Sequence, residues 1–227
     1  MLFFVYIYTM RFLVLFVCFN IANALFAQEP SPSFREDQIY LSVGYPFFSE
    51  APESLIQNKL SYALSLGYVR DMPINKARTL AIGLGLGWDQ ATLFTNTRFT
   101  NTGNSLTTTV IQEAYQKNYI SVQSLAIPFE LRWRNATETN HAFWRFHTGV
   151  SLHIPLKLSS YYEPNNGASS RVSIPSNSTV FRLNIHFGFN TWNISLTHDL
   201  QPWTQTGGLG DNINMRFSRI GFIFYVF

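Results

Sequence analysis

Two neighbouring stretches, SLAIPFELRWR (Ser124–Arg134) and FWRFHTGVSLHIPLKL (Phe143–Leu158), decide the fold. In the first, Leu125, Ile127, Phe129, Leu131 and Trp133 alternate with Ala126, Pro128, Glu130 and Arg132. In the second, Trp144, Phe146, Val150, Leu152, Ile154, Leu156 and Leu158 share one face, and Arg145, His147, His153 and Lys157 share the other. A period of two is that of a β-strand, whose successive side chains point to opposite faces. The apolar face carries no charge in mid-strand, whereas the opposite face mixes charged, polar and small residues. A soluble sandwich would cover its outer face with Lys and Glu. An inverted barrel, apolar outside and polar within, accounts for the pattern better; a soluble barrel of the lipocalin kind is the rival.

The same alternation recurs along the chain. KLSYALSLGYV sets Leu60, Tyr62, Leu64, Leu66 and Tyr68 against Ser61, Ala63, Ser65 and Gly67. TLAIGLGLGW sets Leu80, Ile82, Leu84, Leu86 and Trp88 against Ala81, Gly83, Gly85 and Gly87. VFRLNIHFGFN opposes Phe181, Leu183, Ile185, Phe187 and Phe189 to Arg182, Asn184, His186 and Gly188, and TWNISLTHDL continues with Trp192, Ile194 and Leu196. With QIYLSVGY in front and RIGFIFYVF at the end, about eight strands result, or ten if the segment 94–117 hides a further hairpin.

Composition agrees. Of 227 residues, 46% are hydrophobic, 16% aromatic and 13% charged, about half the charge of an ordinary soluble domain. The net charge of +3, without a Lys/Arg cluster, argues against nucleic acid as a partner. The length fits one domain.

The start reads as a secretory signal: Arg11, an apolar run Phe12–Phe19, then small residues before a polar stretch. Cleavage is expected after Ala27, with Ala24 the rival, and Met10 is an alternative start. The expected domains are a signal peptide over 1–27, a short linker over 28–36 and an outer-membrane barrel over 37–227. Cys18, the only cysteine, lies in the signal and follows Val17, which does not suit a lipoprotein signal. The barrel is therefore expected to hold no disulfide and no thiolate metal site.

Connections alternate in length: long at 46–57, 94–117, 159–177 and 201–213, short at 71–77, 135–141 and 190–191. Outer-membrane barrels show this asymmetry, with tight periplasmic turns and long external loops. Tyr68, Trp133, Trp144, Trp192, Tyr225 and Phe227 then fall at the periplasmic rim, where rings that are both polar and apolar collect. The terminal strand is expected to turn Ile223, Tyr225 and Phe227 to lipid, which leaves Ile220, Phe222, Phe224 and Val226 inside. A terminal Phe after alternating apolar residues is similar to the signal that barrel-insertion machinery reads.

Residues 124–156 also resemble the central strand–turn–strand of the PorT-like outer-membrane β-barrels of Bacteroidetes, through Leu125, Ile127, Pro128, Arg132 and Gly149. ISLTHDLQPW and the closing RIGFIFYVF are similar to that family's last hairpin. The resemblance implies a transmembrane barrel in the outer membrane, a link to secretion of the type IX kind, envelope or secretion proteins as partners, and no catalytic motif.

The chemistry-bearing residues point the same way. GLGLG (Gly83–Gly87) lies inside an alternating strand, with no helix after it to hold a phosphate, so its glycines are read as small lumen packing. His147, His153 and His186 share the polar face without ligand-spaced carboxylates, which favours hydrogen-bonded roles over a metal site. Glu130, Arg132, Arg145, Lys157 and Arg182 are expected to form an interior charge network, since buried charges need partners. His198 and Asp199 are the nearest candidates for an embedded hydrolase, but His198 faces lipid and no Gly-x-Ser-x-Gly motif exists. The expectation is a small outer-membrane barrel with a plugged lumen, no enzyme, no cofactor and no metal, in a structural or accessory role. The alternatives are a surface adhesion barrel acting through its long loops and a narrow channel.

Overall fold

The alternating segments become the staves of a closed ring. The computed structural model describes residues 37–102, 105–135, 143–204 and 214–226. The expected signal peptide and linker, and Phe227, lie outside the described residues. The strands are β1 (Gln38–Glu50), β2 (Tyr62–Pro73), β3 (Leu80–Phe94), β4 (Thr97–Thr102), β5 (Ser105–Val110), β6 (Tyr115–Arg134), β7 (Trp144–Pro164), β8 (Ser170–Ser173), β9 (Val180–Phe189), β10 (Trp192–Asp199) and β11 (Arg216–Val226). Every pairing is antiparallel, in the order β6-β3-β2-β1-β11-β10-β9-β7, and β6 pairs β7 to close the ring. The result is an all-β, up-and-down barrel of eight strands. The two further strands in 94–117 exist, but β4 and β5 form their own sheet and do not enter the ring. Short β8 extends the wall by pairing with the far end of β7, beyond the end of β9.

Closure leaves the ring no free edge, so the strands' backbone groups are satisfied without water, as a bilayer requires. The outer face fits that solvent. Leu64, Leu66, Leu84, Leu86, Phe129, Leu131, Phe187 and Ile194 are each 40–57% exposed and form a continuous apolar belt. On β7 the belt runs from Trp144 to Leu156, which at about 3.3 Å per residue and about 40° of tilt is roughly 30 Å along the membrane normal. At the long-loop end β3, β6 and β7 continue past the belt, so by the asymmetry of such barrels that end is external. The short β9–β10 connection turns at Asn190, whose positive φ of 53° is a backbone conformation Asn tolerates better than most residues.

Two expected facings are corrected. On β11, Ile223 (5% exposed) and Tyr225 (2%) point inward, and Ile220, Phe222 and Val226 are the exposed residues. Arg219 shares the phase of Ile223 and Tyr225, and its guanidinium is held on Asp89 inside the barrel. A buried ion pair outweighs the aromatic pattern that suggested the opposite phase. Tyr225 is therefore not an interface aromatic, and Phe222 does not fill the lumen.

The second correction is Lys157, which is exposed on the outer wall and no member of an interior network. Gln123 pairs Lys157 but Ser124 pairs Pro155, so Leu156 is an extra residue in a β-bulge. One inserted residue exchanges the faces of all that follow. Lys157 turns out, and Leu158 turns in and is buried.

Candidate functional site: the barrel interior

Inside, the polar face of each strand meets those of its neighbours, in two charge clusters stacked along the axis. Their existence follows from alternation; their membership follows from register.

The cluster near the short turns centres on Arg132. Its guanidinium donates to Asp71 Oδ1 and, at 2.6 Å, to Gln38 Oε1, and Glu130 Oε2 lies 3.6 Å from its Nε. Arg134 Nη1 donates to the other Asp71 oxygen at 3.2 Å. Glu130 Oε1 also lies 3.5 Å from His186 Nε2. His147 Nδ1 is 3.2 Å from Tyr225 Oη, whose ring lies beneath the Arg132 guanidinium at 5.0 Å. Arg145 donates to the Asn190 carbonyl at 2.9 Å and sits over the Phe143 ring at 4.5 Å. The glycines of β3 make room: a Cβ at Gly83 would stand 2.6 Å from Arg132 Cδ.

The second cluster, toward the external end, centres on Asp89. Arg219 grips it with two bonds of 2.6 and 2.7 Å, and Arg182 Nη1 reaches it at 3.3 Å. Ser65 Oγ donates to it at 2.6 Å. Arg182 Nε donates to Asp199 at 2.6 Å, and Asp199 also accepts from Trp203 Nε1 at 2.5 Å and from the Phe217 backbone N–H at 3.1 Å. Two-point guanidinium–carboxylate contacts of this kind are the strong ones in a water-poor interior. Between the clusters lies a cavity of about 60 Å³ walled by Tyr40, Ser42, Glu130, Asn184, His186 and Thr197 among others. Its polar walls and size suit a few waters.

Above Asp89 the lumen turns apolar. Leu93, Ile120, Val122, Leu158 and Phe217 from the wall pack with Phe99 and Leu106 of the β4–β5 hairpin and with Trp203. Each is 3% exposed or less. The external connections thus fold back over the barrel mouth as a hydrophobic plug.

Of the residues singled out in the sequence, Glu130 and Arg132 meet in one cluster, Arg145 lies beside it against Tyr225, and Arg182 belongs to the other cluster. The three histidines diverge: His147 joins Arg132 and Tyr225, His186 joins Glu130, and His153 lies between Ser124 Oγ (2.9 Å) and Ser151 Oγ (3.0 Å). Among the described residues no group of His, Cys, Asp or Glu is placed to hold a metal ion. His198 is exposed and bonded to Ser218 at 2.8 Å, while Asp199 points inward. Asp71, Asp89, Arg134 and Arg219 went unread. The first three follow from counting parity along their strands, since Asp71 shares the phase of Val69, Asp89 that of Gly87 and Arg134 that of Arg132. Arg219 required the phase of the last strand.

Outside, Tyr68, Trp133, Trp144 and Trp192 are 39–66% exposed. Trp133 pairs Leu80 across from the β2–β3 turn, and Trp144 and Trp192 both pair Phe189 beside the β9–β10 turn. Trp144 stacks on Phe187 at 5.1 Å, and Trp192 meets Phe224 edge-on at 4.8 Å.

The family model of the outer membrane protein beta-barrel domain matches residues 26–202. The chain belongs to this family. Its apolar belt and closed ring are thus those of an outer-membrane protein. Two solved structures are similar, both of Ail, the attachment invasion locus protein of Yersinia pestis, at 12% identity, each covering 84% of this chain and 99% of that one. One is a complex with the heparin analogue sucrose octasulfate, with a TM-score of 0.38, and the other has a TM-score of 0.34. No curated protein matches the chain.

Proposed function

We propose that this outer-membrane barrel is a non-conducting, non-enzymatic envelope protein with a structural or accessory role. The observation that carries the proposal is the filled lumen: among the described residues two charge clusters and an apolar plug occupy the axis, and the cavity between the clusters is about 60 Å³. Eight strands enclose little more than their own side chains, whereas water-filled pores use about 16 strands. Opposite charges in such a space pair, because leaving one bare costs several kcal/mol. Purified protein in planar bilayers should show no steady single-channel current. Stable openings whose conductance or selectivity changes in Glu130→Gln would refute the proposal and favour a narrow channel.

The likeness to PorT-like barrels makes an accessory part in type IX secretion the more specific form of this reading, with secretion proteins of the envelope as partners. Loss of secreted cargo on deletion of the gene would support it, and unchanged secretion would remove it. Outer-membrane lipid is the other partner, and the aromatic-rich closing strand β11 suits the barrel-insertion machinery. A surface-binding role is favoured by one feature, the wall of β3, β6, β7 and β8 that rises past the belt.

A further inference from the structure

The outer face of that wall differs from the rest of the barrel. Directly above the last apolar residues, Leu125, Ile154 and Leu156, the exposed Lys157 is the first charge. It is turned outward by the Leu156 bulge, the same step that turns Leu158 into the plug. Four residues further along β7, roughly 10 Å higher at the usual tilt and rise, an aromatic surface begins. Tyr119 and Tyr161 stack at 5.0 Å across β6 and β7, and Phe94 meets Tyr119 at 5.7 Å. On the neighbouring β8, exposed Arg171 covers the Tyr161 ring at 5.1 Å and donates to Tyr119 Oη and Ser159 Oγ, each at 3.2 Å. Glu163, the acid of this face, accepts from Tyr161 Oη at 3.2 Å and lies 4.0 Å from Lys117 Nζ. With Lys117, Lys157 and Arg171 against Glu163, the face is net positive.

These two tiers match one class of molecule. We infer that the outer wall of β6, β7 and β8 binds a phosphorylated glycolipid of the outer leaflet, of the lipopolysaccharide class. Lys157 lies where the belt ends, hence at the level of the first headgroup phosphates of a lipid whose acyl chains lie against Leu125, Ile154 and Leu156. Tyr161, Tyr119 and Arg171 lie higher, at the level of the sugars. The Arg171 guanidinium serves phosphate or carboxylate on the sugar, and the tyrosine hydroxyls offer donors and acceptors to sugar hydroxyls. The rings are already stacked and the guanidinium already placed over Tyr161 and bonded to Tyr119 Oη, so little side-chain freedom remains to be lost on binding. A phospholipid, whose headgroup is a few ångströms tall, would reach Lys157 but not Tyr161.

The test uses the purified barrel in neutral detergent micelles, titrated with rough-type lipopolysaccharide, with lipid A alone, and with phosphatidylglycerol. Bound lipid is counted by native mass spectrometry, and the heat-sensitive gel mobility of the barrel confirms folding of each variant. Saturable lipopolysaccharide binding is expected, weakened tenfold or more by Tyr161→Ala with Arg171→Ala and unchanged by His198→Gln on β10, two strands round the ring from β7. Lipid A should bind more weakly than lipopolysaccharide and lose affinity in Lys157→Gln. Equal binding of phosphatidylglycerol and lipopolysaccharide, or a folded double variant that binds like the parent, would overturn the inference.

Discussion

Asp89→Asn destabilises the folded barrel by about 3–5 kcal/mol, the cost of leaving buried charge without its partner. Asp89 is 3% exposed and takes both bonds of the Arg219 fork and a third from Arg182. The amide keeps the shape but removes the charge, and Arg219 (8% exposed) then faces the interior without the carboxylate it holds. Arg182 keeps Asp199, so the damage concentrates on β11, the strand that closes the ring onto β1. Urea unfolding from lipid vesicles should show the midpoint fall. Pairing Asp89→Leu with Arg219→Met should recover much of the loss, because replacing a whole buried ion pair by apolar groups is far less costly than breaking it. A single Asn variant as stable as the parent would mean that water reaches this cluster.

The second large effect lies on the other face. Leu84→Arg and Phe187→Arg each place a guanidinium in hydrocarbon, at a cost of about 2–4 kcal/mol near the bilayer midplane. Leu84 pairs Phe129 of β6 and Arg70 of β2, and Phe187 pairs Phe146 and Ile194 within two residues of the Trp144 and Trp192 rim, so both costs fall toward the lower end of that range. The same measurement should find Glu113→Arg, on an exposed external connection, within error of the parent. Equal tolerance at Leu84 and Glu113 would show that the apolar belt does not face lipid.

How much of this was legible in the sequence depends on whether the signal is local. β6, and β7 as far as Leu156, were readable because each residue's facing follows from its immediate neighbours, and the nine alternating residues of 125–133 admit one phase. The last strand was misread because Ile220–Val226 is apolar on both faces and offers no contrast. What fixes its phase is Arg219 meeting Asp89, 130 positions away. Lys157 failed for a related reason: a bulge shifts parity, and nothing in HIPLKL marks Leu156 as the extra residue. The apolar plug was invisible, since Phe99 and Leu106 each stand nearly alone among Thr, Asn and Ser. They become core only because a closed barrel mouth lies beneath them. The division of the interior charges into two clusters likewise needed register, because Glu130 and Arg182 share a face but sit at different heights.

An inverted barrel has lipid outside and paired charge inside, and one measurement addresses that most directly. Single cysteines, in a background lacking Cys18, are placed at Leu84, Leu131, Ile194 and Phe222 on the outer face and at Ala81, Ser195, Ile223 and Tyr225 on the inner face. Each is labelled with a small fluorophore and the protein is folded into vesicles containing brominated lipid. The four outer positions should be strongly quenched, and the four inner ones, which are 1–5% exposed, should be labelled poorly and escape quenching. Quenching at Ile223 and Tyr225 with protection at Phe222 would contradict the closing strand, and the same inversion at Leu84 and Ala81 would contradict the barrel itself.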